Sequence, residues 1–121
     1  MSAIEGSCHC GAVRIRVDEA PTQLTACNCS ICRRLGWQLA YYREAQVTVE
    51  AAEDAVHDYV WGDRLLAFKR CATCGCATHW EGIGPDRKDR MGVNMRLFDP
   101  ADLEGVVVRR WDGADTWTWL D

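Results

Sequence analysis

The eight cysteines of this chain fall into three tight groups: Cys8-His9-Cys10-Gly11, Cys27-Asn28-Cys29-Ser30-Ile31-Cys32 and Cys71-Ala72-Thr73-Cys74-Gly75-Cys76. Thiols one to three residues apart on tight turns can converge on one metal ion, and zinc favours four tetrahedral ligands, with sulfur about 2.3 Å away. The groups read as one closed zinc site plus a second site with a free position. A closed site braces a fold, whereas an open one leaves room for a substrate, so this difference decides whether such a chain is an enzyme.

Disulfides are the rival use of these residues. Eight cysteines in 121 residues sit just under the roughly 8–10% that marks disulfide scaffolds. Six tryptophans and an aliphatic content typical of globular proteins supply a core that needs no covalent staples. Metal ligation is therefore the expectation, in a reducing cytoplasm. Residues Met1 to Gly6 lack the basic and apolar blocks of a secretory signal. No apolar run approaches the roughly 18 residues that suggest a membrane span, so no membrane partner is expected. The net charge of −4 argues against nucleic acid as a partner, since phosphate binding wants a basic field. The local basic stretch of Arg87, Lys88, Arg90 and Arg96 is interrupted by Asp86 and Asp89 and reads as a solvated loop.

Linkers, low-complexity tracts and long repeats are not evident, and residues 1–121 read as a single zinc-binding domain. Val13, Ile15 and Val17 alternate with Arg14 and Arg16, which predicts a half-buried strand over Ala12 to Val17. Further strands are expected over Gln38–Val49, Asp58–Trp61, Leu65–Lys69, Ala77–Trp80, Met91–Met95, Val106–Trp111 and Trp117–Leu120. Gly62-Asp63 and Asp112-Gly113 mark turns. Helix is expected only as short pieces, at Ser30–Leu35 and after the capping Asp99-Pro100 pair. The fold class is all-β, with cysteine-bearing loops between strands.

Cys71-Ala72-Thr73-Cys74-Gly75 has the form of a zinc knuckle, with a glycine that lets the turn close tightly. Cys8-His9-Cys10-Gly11 shares that glycine. Together they supply four thiolates for a closed site of Cys8, Cys10, Cys71 and Cys74. Cys27, Cys29 and Cys32 form the second set, and three protein ligands leave the fourth position for water or substrate. Zinc with three thiolates is a net anion, so Arg33, Arg34, Lys69 and Arg70 are candidate neighbours. Cys76 is either a further ligand or a packed thiol. His79 is either a ligand or proton-transfer group, or a satisfied structural histidine on a strand.

On these residues the chain resembles the glutathione-dependent formaldehyde-activating enzyme family, which includes the centromere protein V type of domain. The resemblance rests on Gly6-Ser7-Cys8-His9-Cys10-Gly11, Cys27-Asn28-Cys29-Ser30-Ile31-Cys32-Arg33 and Arg70-Cys71-Ala72-Thr73-Cys74-Gly75. Val93-Asn94-Met95-Arg96-Leu97 before Asp99-Pro100 adds to it. It implies a zinc-pinned β-tent of antiparallel sheets. It also implies a structural zinc on Cys8, Cys10, Cys71 and Cys74, and a catalytic zinc on Cys27, Cys29 and Cys32. The implied activity is condensation of formaldehyde with glutathione to S-hydroxymethylglutathione, a carbon–sulfur lyase running in reverse.

Two other functions compete with this one. A binding module would use Trp37, Trp61, Trp111, Trp117 and Trp119 as an aromatic surface, with both zincs structural. A thiol switch would oxidise the triplet reversibly. The tryptophan-rich C-terminal strand could also form the edge of a homodimer, or close the sheet.

Overall fold

The computed structural model describes residues 2–85 and 89–121, so Asp86, Arg87 and Lys88 of the basic stretch lie outside it. In chain order the strands are β1 (Ile4–Ser7), β2 (Arg14–Val17), β3 (Gln23–Cys27), β4 (Leu39–Arg43) and β5 (Val47–Glu50). They continue as β6 (Val56–Val60), β7 (Leu66–Cys71), β8 (Ala77–Gly82), β9 (Arg90–Asn94) and β10 (Val107–Trp111). One α-helix is described, α1 (Ser30–Leu35). The all-β expectation holds.

The strands form two sheets, a small one ordered β1-β2-β5 and a large one ordered β10-β3-β4-β9-β8-β7-β6. Every pairing is antiparallel except that of β10 with β3, which is parallel, with Trp111 opposite Cys27. The chain passes between sheets at Glu44–Gln46, a short 3-10 turn in which the Gln46 side chain accepts the Arg43 amide at 2.9 Å. That turn splits the strand expected over Gln38–Val49 into β4, in the large sheet, and β5, in the small one.

The predicted alternation in the first strand sets the core. Val13, Ile15 and Val17 are all buried, while Arg14 and Arg16 face solvent. They pack with Leu24, Ala40, Val93, Met95 and Phe98, and Cys8 and Cys71 belong to the same cluster. Removing a side chain such as Ile15 from water contributes about 1.5–3 kcal/mol. Strand β1 lies close against the segment that follows β9 at Gly6, where an added Cβ would meet the Leu97 carbonyl oxygen at 2.6 Å. A second cluster of Cys32, Trp37, Leu39, Phe68 and Trp80 draws on the other side of the large sheet, since Leu39 and Ala40 are successive residues of β4. Trp37 and Phe68 stack in it with ring centroids 5.8 Å apart. Trp37 is therefore core and not part of an exposed surface.

Other expectations need correction. Trp117–Leu120 is not a strand: Trp117 takes a left-handed backbone with φ of 57°, which ends any extended run, and only a single bridge joins Trp119 to Trp111. Met95 leaves its strand for a 3-10 turn, Met95–Leu97, nucleated when the Asn94 side chain accepts the Arg96 amide. Asn94 also donates to the Ala77 carbonyl at 2.8 Å, so this buried polar residue ties β9 to the start of β8. Strands β1 and β3 carried no clear alternation and are additions.

Candidate metal centre and aromatic cleft

The first thiol set is assembled by turns at the ends of β1 and β7. The Cys8 amide bonds the Val13 carbonyl, and Gly11, at φ of 83°, turns back onto the Cys8 carbonyl at 3.1 Å. On the other side Gly75, at φ of 80°, donates to the Cys71 carbonyl at 3.0 Å. These turns bring the Sγ atoms of Cys8, Cys10, Cys71 and Cys74 within 4.8 Å of one another. Cys10 Sγ lies 3.7 Å from Cys8 Sγ and 3.6 Å from Cys71 Sγ. Sulfurs placed tetrahedrally about zinc at about 2.3 Å are separated by about 3.8 Å, so the donor set fits that ion.

Backbone amides favour thiolate here. Val13 N–H donates to Cys8 Sγ at 3.3 Å, and the Thr73 and Cys74 amides donate to Cys71 Sγ at 3.4 and 3.5 Å. The amide of Cys76, then that of Cys10, draws Cys74 down to about 5. Cys71 is also drawn down, first by the Cys74 amide. Cys10 feels the lowering pull of the Ala12 amide, yet Cys71, burial and Cys8 together push it up to about 11. Protons thus stay unevenly shared in a cluster prepared for anions.

The second set sits where β3 runs into α1. Cys27 ends the strand, Cys29 is the residue before the helix, and Cys32 lies within it, with all three Sγ atoms within 4.8 Å. The Cys29 amide donates to Cys27 Sγ at 3.4 Å. Cys27 is drawn down to about 5, first by the thiol of Cys32 and further by the amides of Cys29 and Gly113. The same contact, with burial, pushes Cys32 up, and the Trp37 indole works against it. Trp37 Nε1 is a buried donor without a hydrogen-bond partner, beside Cys32. An orphaned buried N–H is costly. A sulfur anion at Cys32 is the acceptor that would lower that cost.

These three thiols open into a cleft of about 640 Å³. One wall is the large sheet and its turn, with Thr25, Leu39, Tyr41, Phe68 and Trp80. The other is the chain after β10, where Trp111, Gly113, Trp117 and Trp119 reach the cleft. Trp61 and Asp63, from the turn between β6 and β7, close a third side. Asn28 fastens the C-terminal wall to the thiol loop. Its Nδ2 donates to Asp112 Oδ1 at 3.0 Å, and its Oδ1 accepts the Ala114 amide at 3.0 Å. Its backbone amide bonds the Trp111 carbonyl at 3.2 Å. Gly113 passes so close that an added Cβ would lie 2.6 Å from Cys27 Sγ.

The remaining candidates sort themselves. Cys76 belongs to neither thiol set among the described residues; it packs beside the first core, under the influence of Cys74 and Cys8. His79 is buried with Nδ1 engaged by Thr78 at 2.8 Å and Nε2 by Glu81 at 3.0 Å, and it does not line the cleft. It is a structural histidine. The cations expected near the triplet are also elsewhere. Arg34 bonds the Ser30 carbonyl, Lys69 pairs with Asp58 at 2.9 Å, and neither these nor Arg33 and Arg70 line the cleft. Arg90, read from the sequence as part of a solvated basic loop, instead begins β9 and does line it. Sequence reasoning missed Asn28 and Asp112 as a pair; Asp112-Gly113 registered only as a turn.

Residues 3–110 match the family model described as glutathione-dependent formaldehyde-activating enzyme. A crystal structure of a Rhodobacter sphaeroides protein is similar with a TM-score of 0.71 and 32% identity, covering 87% of this chain and 99% of that one. A Halomonas elongata protein, provisionally assigned as a glutathione-dependent formaldehyde-activating enzyme, is 59% identical over 32 residues. That stretch is 26% of this chain and spans 20% of the Halomonas protein. The C-terminal wall of the cleft, from Trp111 onward, lies beyond the residues that match the family model.

Proposed function

The chain belongs to the glutathione-dependent formaldehyde-activating enzyme family, and on that premise we propose that it is a zinc-dependent carbon–sulfur lyase. Its substrates would be adducts of glutathione or a similar small thiol, such as S-hydroxymethylglutathione, made from or returned to thiol and formaldehyde. The observation that carries this is the three-thiol set of Cys27, Cys29 and Cys32, which faces a cleft and has no fourth cysteine, histidine or carboxylate beside it among the described residues. In this reading Cys8, Cys10, Cys71 and Cys74 hold a structural zinc, and Cys27, Cys29 and Cys32 hold a second. Zinc so placed supplies a lowered pKa for a substrate thiol or polarisation of an aldehyde oxygen.

The chain's own residues do the rest. The amides of Cys29 and Gly113 favour thiolate on Cys27, and Trp37 favours it on Cys32. A substrate seated between the aromatic walls would displace water from the thiols, which strengthens charge interactions there. Tyr41 lines the cleft with its phenol end beside buried Thr25, and burial pushes that phenol up to about 12. It keeps its proton through the neutral range and is a donor available to the aldehyde oxygen. In condensation the substrate sulfur bonds to the formaldehyde carbon and the thiol proton ends on the oxygen; cleavage runs the same steps backwards.

The binding-module reading draws on the same tryptophans. Those that are accessible converge on the thiol cleft and form no separate face: Trp61, Trp111, Trp117 and Trp119 all line it. Elemental analysis of zinc per chain, purified without chelator and repeated in excess glutathione, tests the proposal. Two zincs, with one perturbed by glutathione, support it. One tightly held zinc that is indifferent to thiols removes it.

A further inference from the structure

The glutathione tripeptide carries two carboxylates and one ammonium group, and carboxylates are best held by arginine or lysine. Among the described residues the cleft offers little of that. Among the described residues, Arg90 is its one lysine or arginine, and Asp63 stands against it. Three thiolates on one zinc would add net negative charge at the floor. The walls offer flat apolar surface in quantity. Trp111 packs edge-on against Trp117 and Trp119, with ring centroids 6.0 and 5.0 Å apart. The Arg109 guanidinium lies over the Trp119 ring, 4.2 Å from its centroid. Trp61 faces the same space from the other rim.

Trp117 is the residue least explained by the fold. The residue is 69% exposed, and its amide bonds the Asp112 carbonyl at 2.8 Å with its backbone at φ of 57°. A large side chain in that conformation costs conformational energy. Its only ring contact among the described residues is the edge of Trp111, and so little cover is unusual for tryptophan, whose apolar area dominates recognition where it is covered. Asn28 then ties this wall to the reacting loop, so the indoles stand at a set distance from the thiols.

The geometry points to an adduct of an aryl or arylalkyl thiol as the preferred occupant of this cleft, with its ring between Trp117 and Trp61 and its sulfur at Cys27, Cys29 and Cys32. For its chemistry this rests on the lyase reading above. The sulfur lone pair forms the S–C bond, the carbonyl pair moves to oxygen, and the thiol proton ends there, giving R–S–CH2–OH with no further reactant.

Titration calorimetry of the zinc-replete chain with benzyl mercaptan and with glutathione tests it. Benzyl mercaptan is expected to bind at least about tenfold more tightly, and Trp117→Ala and Trp61→Ala are each expected to shrink that gap to about threefold or less. Glutathione binding as tightly, neither thiol binding, or a gap unchanged in both variants would overturn the inference. Both are exposed positions on separate segments of the chain, so one misfolded variant leaves the other to decide. Formaldehyde consumption in the same preparations separates the two claims. Turnover with glutathione without the binding gap sinks the aryl preference and keeps the lyase. The binding gap without turnover of either thiol keeps the preference and sinks the lyase.

Discussion

Asn28 and Asp112, 84 positions apart, are joined by a 3.0 Å hydrogen bond that fastens the end of the chain to the loop bearing three thiols. Asp112 also accepts the hydroxyl of Thr116 at 2.7 Å and its amide at 3.2 Å. The Thr116 hydroxyl first, and Asn28 next, hold its carboxyl below the ordinary range. With a folded pKa below the unfolded value of about 3.9, the latch is fully stabilised above that pH and is lost as pH falls through the folded value. The amide resonance of Thr116, which bonds the Asp112 carboxylate directly, should stay constant from neutral pH to about 5 and move only below about 4. Asp112→Asn should remove that acid transition. Movement near pH 6 would show that another group controls the loop.

The two thiol sets should fail differently. Cys71 is buried in the main core, and Cys71→Ser removes a ligand whose metal would hold β1 and β7 together. Structural zinc sites contribute apparent binding energies of about 10–16 kcal/mol in small domains, so cooperative unfolding should be lost with the ion. Cys29→Ser touches a set joined within one loop. It should leave one zinc and a folded chain while lyase activity falls by about 100-fold or more. Zinc content and thermal melts of the two variants read this directly; identical behaviour would merge the sites' roles.

Trp37→Phe keeps the ring that stacks on Phe68 and deletes the orphaned indole donor beside Cys32. Loss of an outer partner of a metal ligand commonly lowers metal affinity by about 10–100-fold. Competition with a chelator should show the second zinc leaving about tenfold more readily, with the first unchanged. Equal retention of both ions would mean that the indole does not favour the Cys32 thiolate.

Gly113→Ala places a methyl 2.6 Å from Cys27 Sγ and 3.3 Å from Cys29 Cβ. Neither the sulfur nor the wall can yield without moving the other. Weaker binding of the second zinc is expected, together with a shift in the Ala114 amide resonance. A variant indistinguishable from the parent in both would show slack that the geometry does not contain.

What was legible in the sequence was whatever depends on short spacing. Val13, Ile15 and Val17 declared a buried face because a strand repeats every two residues. The gathering of the two thiol groups was readable because each half lies on one turn. The cleft was not, since Tyr41, Phe68, Trp80 and Arg90 come together only through sheet order. Arg33 and Arg34 follow Cys32 directly and misled for that reason: a helix of 3.6 residues per turn points them away from its thiol face. Trp117 and Trp119 mimicked strand alternation, because a left-handed residue leaves no mark on a pattern of apolar positions.

Because β3 pairs with β10, the strand beside the three thiols is synthesised long after them. Cys27 to Cys32 spans six residues, so these thiols can gather an ion soon after they emerge. Cys8 must wait for Cys71 and Cys74, and a longer loop closes at greater entropic cost, though that cost grows only logarithmically. The wall that covers the trio comes last, with Trp111 and the residues after it. During synthesis the reactive thiols are therefore made before their shelter, and the nascent chain passes through a period in which an early-bound ion would be their main protection against oxidants.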